Sequence, residues 1–169
     1  LISNAESIVK GEYSCPNAQD VIEFYEIYKA LMEYEPCKIL RNDKIQSIHE
    51  HLSKYVPRVA GEAGVFRDCN VRIGNTVCPL HDEIDGLMDS YEDMIWMVKE
   101  EDYIPMGIIY HILFEQIHPF RDGNGRIGRL LIMLQICKDK ILDYPLLYIS
   151  EFFNRNRDSY TDILFNVSA

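Results

Sequence analysis

The sequence lacks the features that would direct it to a membrane or to nucleic acid. None of its apolar runs approaches the ~20 residues that a membrane-spanning helix needs, and no charged and then apolar signal opens it. Positive charge is also scarce, because 17 basic residues stand against 27 acidic ones and leave a formal net charge of -10. Such a balance repels phosphate backbones and anionic lipids. We therefore expect a cytoplasmic protein that binds neither nucleic acid nor membrane.

Paired cysteines and metal-ligand spacings are missing too. The five cysteines are an odd number and are scattered with no CxxC pair, which favours reduced thiols. His49 and His51 lack the HExxH spacing that places two histidines on one helix face, so a solvated helix face is favoured over a zinc site. His81 and His111 have no partner in the sequence, and we expect structural roles for both.

Hydrophobic residues recur at helical spacing along nearly the whole chain, whose 169 residues are about the size of one domain. This spacing predicts helices in an N-terminal segment over 1–35, over 45–55, over about 81–99, over 104–117, over about 126–138 and from near Ser150. Asn42 or Asp43 is expected to cap the helix that follows them. Residues 104–117 are apolar on most faces, which predicts a central buried helix.

Residues 63–79 differ from the rest of the chain. Short β-prone pieces alternate there with glycine and asparagine, which is typical of a small hairpin or flap. The sequence therefore predicts a single, mainly α domain over residues 1–169. We expect a β-hairpin flap over 63–79 and a core of helices and loop over 104–139.

Residues 118–129, HPFRDGNGRIGR, gather the elements of a phosphate site. Gly123 and Gly125 let the backbone turn tightly and approach a ligand closely. The first turn of the helix that follows favours an anion through its free N–H groups and its dipole. Arg126 and Arg129 are three residues apart, so on a helix they share a face and can reach one polyphosphate.

The same segment carries residues suited to metal binding and proton transfer. Asp122 is its only carboxylate, and a polyphosphate beside one carboxylate is a common way to hold Mg²⁺. His118 is placed to take a proton from an incoming hydroxyl, and positive neighbours such as Arg121 help to keep it neutral. Pro119 is expected to end the preceding helix, and Phe120 to pin the loop into the core.

The segment resembles the Fic signature HPFx[DE]GNGRxxR at every specified position. Other elements that resemble the family are H-x-x-L at residues 49–52, GxFR at 64–67, an IG pair at 73–74 and PLLYIS at 145–150. The likeness covers roughly residues 20–165. It implies a Fic-type helical fold and a protein adenylyltransferase, which moves AMP from Mg-ATP to a Ser, Thr or Tyr hydroxyl of a target protein and releases pyrophosphate. The chain itself is a candidate target, by auto-modification.

The resemblance also implies roles for individual residues. The implied catalytic residues are His118, Asp122, Asn124 and Arg126. The implied ATP-phosphate-binding residues are Gly123, Asn124, Gly125, Arg126 and Arg129. The implied target-docking residues, which would align the target by strand addition, are the flap residues Val71, Arg72, Ile73 and Gly74. Among these, His118 would be the general base and Asp122 would hold Mg²⁺.

Other functions stay open at this point. Gly123, Gly125 and Gly128 spell the dinucleotide fingerprint GxGxxG, but that motif needs a preceding strand, whereas the stretch before it is helical in period. A nucleotide-binding regulatory or interaction module of Fic fold without turnover is a second possibility, which the intact His118 and Asp122 oppose. Removal of AMP by the same residues is a third. Doc kinases carry lysine at the position of Gly125, so this glycine favours nucleotidyl transfer.

Two positions depart from patterns common in the family. An inhibitory helix of the form [ST]xxxE[GN] would pair its glutamate with Arg129, but the frame that starts at Ser3 puts Ser7 at the glutamate position, and the frame that ends at Gly11 puts Lys10 there. We therefore expect little or no autoinhibition by the N-terminal segment. A single Pro79 follows the flap where relatives often have two prolines, which bears on the geometry of target docking.

Overall fold

Helices dominate the computed structural model of the chain, which describes residues 41–55, 62–74, 76–97, 103–138 and 149–166. The helices in chain order are α1 (Asn42–Tyr55), α2 (Ile84–Met97), α3 (Tyr103–Ile117), α4 (Asn124–Lys138), α5 (Ile149–Arg155) and α6 (Arg157–Asn166). The strands are β1 (Arg72–Ile73) and β2 (Thr76–Val77), and a 3-10 turn (His81–Glu83) leads into α2. This mainly α architecture with a small hairpin confirms the predicted fold class. The expected N-terminal helical segment over 1–35 lies outside the described residues.

Helix α3 lies at the centre of the fold and packs against α2, α4 and α6. It ends at Ile117, as Pro119 predicts, and Phe114 on it is fully buried. One side of α3 nevertheless faces solvent, because Ile108 and Ile109 are 50% and 42% exposed. The helix is therefore central, as predicted from its apolar sequence, but it is not enclosed on every side.

The core forms where the apolar stripes of α1, α2, α3 and α4 meet. Its buried residues are Ile45, Ile48, Leu52, Ile84, Met88, Tyr91, Ile95, Tyr110, Phe114, Ile117, Phe120, Ile127, Leu130, Leu131 and Leu134. Within each helix these residues recur mostly at intervals of three and four, which is the spacing that predicted the helices. Phe120 comes from the loop between α3 and α4 rather than from a helix. The core therefore anchors the loop as well as the helices.

The first turn of α1 corrects the predicted cap. Arg41, not Asn42 or Asp43, holds the cap position, because its carbonyl oxygen accepts hydrogen bonds from the N–H groups of Lys44 and Ile45. The N–H group of Asn42 donates instead to a carboxylate oxygen of Glu92 on α2, at 2.8 Å. A carboxylate at the N-terminus of α1 also suits the helix dipole. Glu92 on α2 therefore provides the hydrogen-bond acceptor that a side chain at the start of α1 was expected to provide.

Two helix boundaries also differ from the predictions. Helix α4 begins at Asn124 rather than near Arg126, because the carbonyl oxygen of Gly123 already accepts from Arg126 and Ile127. The predicted last helix is two helices, α5 and α6, separated by a turn at Asn156.

Within the described residues, no helix is long and apolar enough to cross a membrane.

The β excursion is an antiparallel hairpin inside the predicted flap. Arg72 pairs with Val77 and Ile73 pairs with Thr76. Gly74 opens the turn with a φ of 58°, a left-handed conformation that glycine adopts without strain. Each strand has only two residues, so the remaining described residues of the flap form loops on either side.

Candidate active site

His118 stands at the point where α3 ends and the chain reverses. Its N–H group closes the last turn onto the carbonyl oxygen of Phe114 at 2.9 Å, and its φ is 52°. Among the described residues that are not glycine, only His118 has a positive φ. Such a conformation costs free energy for a side chain with a Cβ and persists only where the surroundings hold it. The histidine predicted as the base is therefore the strained residue of the loop.

The imidazole of His118 is oriented by the last turn of α3. Its Nδ1 atom lies 3.3 Å from the main-chain oxygen of Glu115 and 4.0 Å from the carboxylate of the same residue. A hydrogen on Nδ1 bonds the main-chain oxygen and leaves Nε2 as the proton acceptor. Burial lowers the pKa of His118, and Arg67 lowers it further, whereas the Glu115 main-chain bond and Asp122 oppose the shift. The neutral ring is thus favoured mainly by burial.

Phe120 and Asn124 hold the loop between α3 and α4 in place. The amide oxygen of Asn124 accepts from the N–H of Phe120 at 2.9 Å, and its amide nitrogen donates to the carbonyl oxygen of Phe120 at 2.8 Å. Both residues are buried, and Phe120 packs against Phe66 and Phe114. Phe120 therefore pins the loop, as predicted. The Asn124 side chain is a loop clamp, so any part of this residue in anion binding falls to its main-chain N–H.

His49 is a buried part of this loop, and the prediction of a solvated helix face is wrong for it. Its ring is 1% exposed and stacks on Phe120 with centroids 3.9 Å apart. Nδ1 accepts the N–H of Gly64 at 2.9 Å, so Nε2 donates to the carbonyl oxygen of Asp122 at 3.1 Å. Burial lowers the pKa of His49. The signal was present, because His49 falls on the same helical stripe as Ile45, Ile48 and Leu52.

Gly123 makes the turn into α4. Its φ is 84°, and a Cβ on it would lie 3.5 Å from both His49 and Leu52. The N–H of Gly123 donates to Oδ1 of Asp122 at 2.6 Å, which holds that carboxylate beside the turn. The N–H groups of Asn124 and Gly125 fall in the first turn of α4, where no acceptor within the helix is available. The turn therefore presents N–H groups that no acceptor within α4 takes up, next to a carboxylate.

The two motif arginines both lie on α4, after this turn, but in different surroundings. Nη1 of Arg126 is buried and has no hydrogen-bond partner in the part of the chain that the structure describes. Arg129 bonds the hydroxyl of Tyr160, and its Nη1 would lie 3.1 Å from a Cβ on Gly125. Arg121, which was expected to add positive charge near His118, is instead bound to the carboxylate of Asp68.

A buried polar cluster behind the loop was not predicted as a group. Glu115, His111 and Tyr160 meet there, with Nε2 of His111 3.0 Å from the Tyr160 hydroxyl. Burial raises the pKa of Glu115 to about 7, although Arg129 opposes this, and burial lowers the pKa of His111 to about 4. His111 is buried and contacts Tyr160, which agrees with the structural role expected from the sequence. Glu115 carried no signal in the sequence, because one acidic residue in an apolar helix has no motif around it.

The flap is joined to the loop through Arg67. Its guanidinium donates to the carbonyl oxygens of Cys69 and Pro79 on either side of the hairpin, and to that of His118. Val71, just before β1, accepts the N–H of Cys78 at 3.4 Å. The structure therefore places the expected docking residues over 71–74 on a hairpin whose base is fixed beside His118. The thiols of Cys69 and Cys78 are free.

A family model described as Fic/DOC family matches residues 39–136, which is more than half of the chain. The chain belongs to the Fic/DOC family. The matched range begins just before α1 and ends within α4, so it contains the whole loop, the hairpin, all of α3 and most of α4. Membership of the Fic/DOC family confirms the resemblance that the segment over 118–129 indicated.

Curated proteins of the Fic group are similar to this chain over part of their length. A probable protein adenylyltransferase of Aquifex aeolicus is 38% identical over 71 residues, which cover 41% of this chain and 20% of that protein. Protein adenylyltransferase Fic of Culex quinquefasciatus is 31% identical over 121 residues, which cover 69% of this chain and 22% of that protein. The chain thus spans about a fifth of the length of these curated relatives.

The fold also matches solved structures of the Fic/DOC family. A Fic family protein from Desulfovibrio desulfuricans has a TM-score of 0.75 to this chain at 25% sequence identity, over 99% of this chain and 54% of that one. Fic-1 from C. elegans has a TM-score of 0.59 at 22% identity, over 79% of this chain and 42% of that one. The second likeness concerns the fold alone. Both agree with a helical Fic domain.

Proposed function

We propose that this chain is a protein adenylyltransferase, which transfers AMP from Mg-ATP to a Ser, Thr or Tyr hydroxyl of a target protein and releases pyrophosphate. The observation that carries the proposal is the position of His118. Its ring is held at Nδ1 by the main chain, directly before a glycine-capped helix that presents N–H donors and Arg126. A base and an anion site are thus joined by one short loop. The names of the curated relatives support the same activity.

His118 acts as the general base in this proposal. With the hydrogen on Nδ1 bonded to the Glu115 main-chain oxygen, Nε2 takes the proton of the target hydroxyl. The hydroxyl oxygen forms a bond to the α-phosphorus of ATP, and the bond from that phosphorus to the oxygen bridging to the β-phosphate breaks. Pyrophosphate leaves with the electron pair of the broken bond. The lowered pKa of His118 keeps the ring neutral and able to accept this proton.

The phosphates of ATP fit the first turn of α4. Anions bind at helix N-termini through N–H groups that have no acceptor in the helix, and Asn124 and Gly125 provide such groups. The buried Nη1 of Arg126, which has no partner among the described residues, is what a phosphate oxygen would satisfy. Catalysis then consists mainly of positioning and of neutralising charge.

Asp122 fits the role of a Mg²⁺ ligand. Its Oδ1 accepts the N–H of Gly123, so the carboxylate is fixed beside the turn that would hold the phosphates. Mg²⁺ in nucleotide sites is commonly held by one or two carboxylates together with phosphate oxygens and water. When bound, the cation would neutralise charge on the phosphates of the donor.

Gly125 favours transfer of AMP over transfer of a phosphoryl group. A Cβ at this position would lie 3.1 Å from Nη1 of Arg129 and 3.8 Å from the carboxylate of Glu115. A long side chain such as lysine would therefore displace the Arg129 guanidinium from the place where it can meet a terminal phosphate. Glycine leaves that arginine in position for the β- and γ-phosphates.

The hairpin over 71–77 is proposed to dock the target. Strands β1 and β2 are short and pair with each other as a two-stranded sheet, and Val77 on β2 is exposed. A target segment could therefore add to this sheet as a further strand. Strand addition would use main-chain groups and would place a hydroxyl side chain towards His118, to which Arg67 ties the base of the hairpin.

The proposal is tested by incubating the chain with ATP, Mg²⁺ and a cell lysate, followed by mass spectrometry of intact and digested proteins. We expect the mass of one AMP on a specific hydroxyl of a lysate protein or of the chain itself. The Asp122→Ala variant is the matched negative sample. ATP binding with no modified protein in any lysate would contradict the proposal and favour a nucleotide-binding module. Loss of AMP from a modified protein would instead indicate the reverse reaction.

A further inference from the structure

The contacts of Arg67 join the hairpin to the loop between α3 and α4. Its side chain is 3% exposed and donates four hydrogen bonds, all to main-chain oxygens. These acceptors are Cys69 at 2.9 Å, Pro79 at 2.7 Å, Ile117 at 3.3 Å and His118 at 2.8 Å. Its own N–H donates to Pro119 at 2.8 Å. Arg67 thus contacts both the base of the hairpin and the loop between α3 and α4.

The charge of Arg67 is balanced by main-chain dipoles. Among the described residues it has no carboxylate within ion-pair distance. Two of its acceptors, at residues 117 and 118, are carbonyl groups at the C-terminal end of α3, where the helix dipole favours a cation. Burying a charge is costly unless it is fully hydrogen-bonded. These bonds are therefore needed, and they fix the guanidinium and its acceptors in one arrangement.

The arrangement holds His118 on both sides of its strained bond. Nη2 of Arg67 donates to the carbonyl oxygen of Ile117, which precedes the N–Cα bond of His118, and Nε donates to the carbonyl oxygen of His118, which follows it. A residue with a φ of 52° needs such support, because the conformation is costly for a residue with a Cβ. The direction of the His118 side chain follows from this main-chain conformation.

The same guanidinium bonds both ends of the hairpin, one before β1 and the other after β2. Cys69 lies three residues before β1, and Pro79 lies two residues after β2. Nη1 binds the first and Nη2 binds the second, so the two ends are fixed relative to each other. Any segment that docks on the hairpin is thereby set at a defined distance from the loop.

We propose that Arg67 is a positioning residue that aligns the base with the docked target, by holding His118 and both ends of the hairpin with one guanidinium. This inference rests on the proposed function of His118 and of the flap. Only arginine offers five donors in a planar fork. A lysine at this position keeps the charge but has three donors on one atom, so it cannot reach both ends of the hairpin and the loop at once.

The experiment compares Arg67→Lys and Arg67→Gln with Arg41→Lys, a matched control. Arg41 forms exposed ion pairs with Asp43 and Glu92 outside the site. For each protein, kcat, the KM for the target or for auto-modification, and the Kd for Mg-ATP are measured. We expect kcat to fall about 10²-fold in Arg67→Lys, the scale of a small misplacement of reacting groups. KM for the target should rise, the Kd for Mg-ATP should stay unchanged, and Arg67→Gln should be the more severe.

A second readout does not need turnover. The ring signals of His118 in NMR spectra and the hydrogen exchange of the Cys78 N–H, which bonds Val71 in the hairpin, report on the two ends of the proposed link. Arg67→Lys should shift the His118 ring signals and speed the hydrogen exchange of the Cys78 N–H. Arg41→Lys should change neither measurement. If the wild-type chain transfers no AMP, the proposed function fails, and these two readouts still decide whether Arg67 links the loop to the hairpin.

The inference is overturned by either of two results. One is wild-type kcat, KM and His118 signals in Arg67→Lys. The other is a parallel loss of Mg-ATP affinity, kcat and thermal stability in both Arg67 variants, which would indicate a general structural role.

Discussion

Glu115 shows how a single buried carboxyl can make stability depend on pH. Its Oε1 atom has no hydrogen-bond partner in the described part of the chain, and burial raises its pKa to about 7. Between about pH 4.5 and pH 7, the folded protein therefore keeps a proton on Glu115 that the unfolded chain, with an ordinary pKa of about 4.5, has already released. Stability from this group is complete below that unfolded pKa and is lost as the pH rises through the folded pKa.

We therefore expect Glu115→Gln to change the pH profile of unfolding. Relative to the variant, the wild type should lose up to about 3 kcal/mol between about pH 4.5 and pH 7, since one pKa unit corresponds to about 1.4 kcal/mol. Neutral buried His111 has a pKa lowered to about 4, so it stabilises as the pH rises, but it is present in both proteins and cancels. Urea unfolding at several pH values measures the difference. A constant difference across this range would show that Glu115 is ionised throughout.

Asp122 is tested through the metal dependence of nucleotide binding. A triphosphate and a carboxylate repel each other unless a cation lies between them. ATP should bind the wild type much more tightly with Mg²⁺ than without it, and Asp122→Ala should reduce that difference. Calorimetry with Mg²⁺ and with a chelator measures both. Equally tight binding in all four samples would remove Asp122 from the metal site.

At the scale of elements, Gly128 sets the distance between α3 and α4. A Cβ on it would lie 2.7 Å from Nδ1 of His111 and still closer to the carboxylate of Glu115. Gly86 on α2 is a matched control, because a Cβ there meets nothing within 4 Å. We expect Gly128→Ala to destabilise the protein by roughly 1–3 kcal/mol through overpacking. Gly86→Ala should stabilise it by up to ~1 kcal/mol through helix propensity.

Thermal or urea unfolding of the wild type, Gly128→Ala and Gly86→Ala measures these changes in the free energy of unfolding. Equal stability of Gly128→Ala and the wild type would mean that α3 and α4 can separate without cost. Such a result would also weaken the view that the loop between these helices is held rigidly.

The sequence predicted the elements better than their boundaries. Helical spacing identified α1 to α4, because their buried residues recur with the period of a helix, and Pro119 located the end of α3. It missed the start of α4 because Gly123, rather than a polar side chain, caps that helix. It missed the acceptor for the N–H of Asn42 at the start of α1, because that acceptor is the carboxylate of Glu92, fifty residues away in the chain. Contacts between distant residues leave no periodic signal.

In the site, too, the sequence indicated some residues and missed the contacts between distant ones. Residues 118–129 were identifiable because their chemistry is local and dense. The ring positions of His49 and Phe120, the clamp of Asn124 and the contacts of Arg67 depend on packing between segments that meet only in the folded chain. The pairing of Arg121 with Asp68 was missed because the two residues are 53 positions apart in the chain.

At the scale of the whole molecule, the N-terminal segment, from which we expect little or no autoinhibition, lies outside the described residues. From the sequence, Glu6 is the acidic residue nearest to the inhibitory position, but it falls one residue early, which turns a helical side chain by about 100°. We expect Glu6→Gly to leave the rate of auto-modification unchanged. A rise of tenfold or more would show that Glu6 restrains the site after all.

We propose that His118 is the general base of the transfer and that the group transferred is AMP rather than a phosphoryl group. The most direct measurement gives the chain ATP labelled on either the α- or the γ-phosphate and follows label on protein, for the wild type and for His118→Ala. We expect label only from the α-phosphate, a rate lower by about 10²-fold to 10⁴-fold in the variant, and the same Kd for Mg-ATP in both. Label from the γ-phosphate, or an undiminished rate in folded His118→Ala, would contradict it.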